Sequence, residues 1–92
     1  VLSTTACIYG LSTDALRGRS RRRDIAEARA IAAFLSYELT GASYRVLGVE
    51  LDRDRAWICR MVDRVAERLR LRDRKLTSGV ASVEAALVAD GA

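Results

Sequence analysis

A small all-α bundle is the fold class this sequence predicts, on three observations. The 92 residues contain no proline, so nothing forces a break inside a helix. Apolar residues recur at steps of three and four along two long stretches, the pattern of an amphipathic helix. Half of the residues are hydrophobic, which suffices for one core in a chain this short. A single domain over 1–92 is therefore expected.

Each element follows from local signals. Thr4 to Tyr9 reads as a short apolar helix ended by Gly10. Ser12 is a good N-cap for a further turn through Leu16, with Asp14 where a negative charge suits the helix dipole. The clearest helix spans 24–40. Its Ile25, Ala28, Ala32, Leu35 and Leu39 lie on one stripe, widened by Ile31 and Phe34, and Gly41 is placed to stop it. Its alanines allow close approach by a neighbour. Ser43 caps a short helix from Tyr44 to about Leu51, with Val46, Leu47 and Leu51 apolar. Asp52 or Asp54 then caps a longer helix to about Leu71, whose buried stripe is Ile58, Met61, Val62, Val65 and Leu69. A weaker helix is predicted over about Val80 to Val88.

Composition excludes several function classes. Without histidine there is no imidazole for acid–base catalysis, for a serine-protease triad or for a histidine-bearing zinc finger. Two cysteines, Cys7 and Cys59, are too few for an all-cysteine zinc site. Both lie in apolar segments and are expected as buried, reduced thiols. No carboxylate pair is placed for chemistry, so no enzyme activity, metal or cofactor is predicted. No apolar run approaches the ~20 residues of a membrane span. Val1 to Gly10 lacks the basic start of a signal peptide. A cytoplasmic protein is expected.

Charge is the informative feature. The net charge of +4 comes from 16 basic and 12 acidic residues. All 16 basic residues fall within 17–75 beside nine acids, while the two ends are slightly acidic. A basic centre suggests a polyanion partner. Its densest part is the run from Arg17 to Arg23, including Arg19, Arg21, Arg22 and Arg23, which cannot pack inside a core and reads as a groove-contacting arm.

A short helix, a tight turn and a longer amphipathic helix make a helix-turn-helix arrangement. With Ile58 centred on the buried face and steps of about 100°, Ala56, Arg60, Asp63 and Glu67 point away from the core and Arg64 flanks them. A helix in the major groove reads bases mainly through its N-terminal residues. Arg55, Ala56 and Arg60 are the candidates: arginine suits guanine O6 and N7, and an alanine methyl suits thymine. Trp57 projects near Met61 and is expected at the core margin.

The string from Arg19 to Gly41, with Ala28-Arg29, Ala32, Leu35 and Glu38-Leu39-Thr40, followed by Ser43, Leu47-Gly48, Arg53-Asp54 and Ile58, resembles the C-terminal DNA-binding domain of the bacterial replication initiator DnaA family. The likeness runs from about Thr5 to Leu71. It implies a helix-turn-helix domain on double-stranded DNA, with its basic loop in the minor groove, in the bacterial nucleoid. It places the minor-groove arginine on Arg21 and a DNA-contacting arginine on Arg29. It places the base-reading tetrad on Asp54, Arg55, Ala56 and Trp57, with Arg45 and Arg60 near the backbone or groove.

Where the family has His-Thr-Thr this chain has Arg55-Ala56-Trp57, and Asp52 replaces the glycine before Arg53. The base-reading set therefore differs from the family's. No Gly-x-x-x-x-Gly-Lys-Ser/Thr loop occurs, so no nucleotide is expected. A stand-alone regulator of replication or transcription, or a DNA-binding module of a larger protein, is the reading. The alternative is a degenerate copy that binds a protein, or itself, through Trp57.

Overall fold

The computed structural model describes residues 1–91, with side chains through Ala89. Six helices follow one another, and no strand occurs among the described residues: α1 (Leu2–Ile8), α2 (Thr13–Arg17), α3 (Arg23–Thr40), α4 (Tyr44–Leu51), α5 (Arg55–Arg70) and α6 (Arg74–Gly91).

Local chemistry sets most boundaries. The N–H of Ala15 donates to Ser12 Oγ at 3.1 Å, that of Val46 to Ser43 Oγ at 3.2 Å and that of Trp57 to Asp54 Oδ1 at 2.7 Å. Each satisfies one amide that the first helical turn leaves unpaired. Of the two aspartates that could cap α5, Asp54 does so. Asp52 instead closes α4 in the left-handed region at φ 54°. Gly41 ends α3 at φ 68°, where a glycine is unstrained.

The central helix α3 packs against the other five. Ala28, Ala32 and Ala33 are fully buried, and their small side chains let α1, α2 and α5 come close. One apolar cluster joins Ala6, Leu16, Leu47, Leu51, Ile58 and Val62 to these alanines and holds the helix-turn-helix. A second joins Ile31 and Leu35 of α3, Val65 of α5, and Leu76, Val80 and Val83 of α6.

Several expectations are corrected. Helix α6 starts at Arg74 rather than near Val80. Asp73 Oδ1 accepts from the Leu76 N–H at 3.0 Å, and Leu76 is the first residue of the buried stripe. The polar run Arg74-Lys75-Thr77-Ser78 conceals this in the sequence. Asp73 also accepts from Arg68 Nη2 at 2.9 Å, and Arg68 reaches Glu27 on α3 at 3.3 Å. The Leu76 amide and then Arg68 hold the Asp73 carboxyl below its ordinary range, and the bonds to Asp73 and Glu27 raise Arg68. Leu39 and Val46 lie on exposed edges of their helices, and Cys7 is exposed. Cys59 is half-buried.

Candidate nucleic-acid interface

The turn between α4 and α5 is tight because Gly48 allows it. The Arg53 N–H donates to the Gly48 carbonyl at 2.8 Å. A Cβ on Gly48 would lie 2.5 Å from the Arg53 carbonyl oxygen. Helix α5 therefore leaves the turn at an angle set by backbone against backbone.

Arg53 then fastens this turn to the basic loop. Its Nη1 donates to the carbonyls of Arg17 and Leu51 at 3.2 Å and of Asp52 at 3.1 Å, and its Nη2 donates to the carbonyl of Gly18. Its guanidinium also lies 5.4 Å from the centre of the Trp57 ring, within cation–π range. Sequence reasoning gave Arg53 no role. Nothing in its local pattern distinguishes an arginine that ties two segments together from one that faces solvent.

Arg29 anchors the same loop from beneath, and this corrects its expected place at the DNA surface. It is only 6% exposed. Nε donates to the Leu16 carbonyl at 2.7 Å, Nη1 to Ser20 at 3.2 Å and Nη2 to Ala15 at 3.3 Å. Three carbonyls at the end of α2 and in the loop thus find donors on one planar fork. Burial lowers the pKa of Arg29, and the neighbouring Arg53 and Arg19 lower it further. Arg53 is lowered by burial and by Arg19. The loop is therefore built on mutually repelling cations, which favours an anion at its outer face.

The remaining loop arginines are exposed. Arg19 is partly engaged: Nη2 meets Asp52 Oδ2 at 3.2 Å and Nη1 the Asp52 carbonyl at 3.0 Å. Arg22 pairs with Asp24 at 2.9 Å. Arg21 and Arg23 make no ion pair among the described residues.

Three shallow recesses gather the charges, and the first two run together into one surface. Arg17, Arg45, Arg53 and Arg55 line the first, where α4 meets the start of α5. Arg19, Arg53, Trp57 and Arg60 line the second, which shares Asp52 and Asp54 with the first. Arg21, Arg23, Arg64, Arg68 and Lys75 line the third, between α3 and the later part of α5. Arg19, Arg45, Asp54, Arg55, Trp57 and Arg60 thus border the surface of the first two recesses, whereas Arg21, Arg23 and Arg64 border the third. Ala56 is exposed in the first turn of α5. Trp57 is half-buried against the first core cluster and covered on one side by Arg53, as its expected position at the core margin requires. Among the described residues no group of side chains could hold a metal, and no helix is long and apolar enough to cross a membrane.

Known proteins similar to this chain include the following. The family described as "Bacterial dnaA protein helix-turn-helix" matches residues 1–65, from α1 through most of α5. The chromosomal replication initiator protein DnaA of Deinococcus radiodurans is 33% identical over 69 residues. That stretch is 75% of this chain and 15% of the relative, so the chain is similar to a small part of a much longer protein.

Proposed function

Because this chain belongs to the bacterial DnaA helix-turn-helix family, we propose that it is a double-stranded DNA-binding module that regulates replication or transcription in the bacterial nucleoid. One observation carries the reading: the basic loop and the exposed start of α5 border one continuous surface, fastened together by Arg53. Arg55, Ala56 and Arg60 read base edges in the major groove. Arg21 enters the minor groove, and Arg23 and Arg45 neutralise phosphates. Arg19 joins them once it leaves Asp52.

Gel-shift titration at several salt concentrations tests this. With about five phosphates neutralised, log K falls against log salt with a slope near −4.5. No shift of any duplex at low salt rejects the reading. Arg21→Ala weakens binding to all duplexes alike. Arg60→Ala changes the preferred sequence at one or two positions in a selection from random duplexes.

Asp52 is a brake on the same surface. Its carboxylate occupies Arg19 and would repel phosphates drawn to that surface. Asp52→Asn keeps a side chain that tolerates φ > 0, frees Arg19 and removes a repulsion. Binding is expected to tighten several-fold and the salt slope to steepen by about 1. An unchanged or weakened titration refutes this role for Asp52.

A further inference from the structure

The third recess lies apart from the base-reading end of α5 and includes two residues, Arg68 and Lys75, outside the family match. Five cations line it, against Glu27 as the one carboxylate. Glu27 is already paired with Arg68, which also holds Asp73. That leaves Arg21, Arg23, Arg64 and Lys75 without an ion pair among the described residues. Lys75 belongs to α6, beyond residue 65 where the match ends.

The position of Lys75 is unfavourable for its own helix. Arg74 and Lys75 occupy the first turn of α6, which has no acidic residue. Cations there oppose the helix dipole at a cost of a few tenths of a kcal/mol each. Helix stability therefore does not explain the charge at this site, whereas a phosphate in the recess does.

We infer that the start of α6, through Lys75, forms with Arg23 and Arg64, beside the minor-groove Arg21, a second phosphate-binding surface on the same duplex. The inference rests on the DNA-binding reading above and deepens it. From Arg55 to Arg64 along α5 is about 14 Å. The recess therefore reaches backbone at the margin of the groove that the N-terminus of α5 enters. Its contacts add affinity and footprint without reading sequence. The small Ala26 and Ala30 at its base leave the approach open.

The test compares wild type, Lys75→Gln and Ala81→Glu on a mixed-sequence duplex of about three helical turns. Both substitutions lower the net charge by one. Ala81 is exposed on α6 and about 120° around the helix from Lys75, so it controls for overall charge. Circular dichroism checks that each variant is folded. Lys75→Gln is expected to weaken binding several-fold, to flatten the salt slope by about 1 and to lose hydroxyl-radical protection at one edge of the footprint. Ala81→Glu should resemble wild type in all three. If wild type binds and Lys75→Gln behaves like Ala81→Glu, the second surface is overturned and the DNA-binding reading stands. If wild type binds no duplex, both fall.

Discussion

Arg29→Ala is expected to destabilise the domain by about 3 kcal/mol, because it strands the Leu16 and Ser20 carbonyls, leaves that of Ala15 with only the Gly18 amide and opens a void. A chain of this size has roughly 5–14 kcal/mol in all. The melting temperature should fall by ~10–20 °C, and DNA affinity should fall with it as the loop detaches. Arg21→Ala should give the opposite combination, weaker binding at an unchanged melting temperature, since Arg21 is exposed and makes no ion pair among the described residues. Arg29→Lys should recover little, because an ammonium cannot meet the carbonyls of Ala15, Leu16 and Ser20 in the fixed geometry of a guanidinium fork. Thermal melts followed beside gel shifts decide the matter. An Arg29→Ala protein that melts like wild type yet binds poorly would mean that Arg29 touches DNA directly.

Gly48→Ala is the second substitution with a large expected effect. On an exposed helix surface, glycine to alanine gains about 1 kcal/mol. Here the new methyl would sit 2.5 Å from the Arg53 carbonyl oxygen and 3.5 Å from the backbone carbonyl carbons of Arg53 and Asp54. All three are main-chain atoms, held by the Arg53 amide bond to Gly48 and the Asp54 cap. Relief requires opening the turn, at an overpacking cost of about 1–3 kcal/mol. The base-reading end of α5 then tilts relative to the loop, so DNA affinity should drop more than stability does. Gly79 supplies the contrast. An added methyl there meets the Tyr9 hydroxyl first, a side-chain end that can swing aside. Gly79→Ala should therefore leave DNA binding intact. Equal binding by wild type and Gly48→Ala would show that the turn has slack.

The parts of the fold legible in the sequence are those governed by neighbours along the chain. Ser12, Ser43 and Asp54 cap helices as their positions suggest, because a cap bond spans three residues. The stripe through Ile25, Ala28, Ala32 and Leu35 is buried as its periodicity requires. Failures arise where distant segments decide. Leu39 and Val46 lie beyond the reach of the packing that covers the rest of their helices. The start of α6 was obscured by cations whose placement helix stability does not favour.

Arg29 carried a signal that its charge masked. It stands four residues after Ile25, three before Ala32 and seven before Ser36, in phase with the buried face. Only the carbonyls delivered by the end of α2 and the loop make that burial tolerable. Arg53 had no comparable signal, since its partners at Arg17 and Gly18 lie 36 and 35 residues away.

The clasp of Arg53 on the Arg17 and Gly18 carbonyls bears on modularity. The basic loop and the start of α5 share one rigid joint, so neither is an independent unit. Grafting α4 and α5 alone onto another scaffold would leave Arg53 reaching for absent oxygens and the turn unsupported. A transplantable reader extends at least from Ala15 to the end of α5. New target preferences are better sought by varying Arg55, Ala56 and Arg60 inside the intact joint than by exchanging helices between relatives.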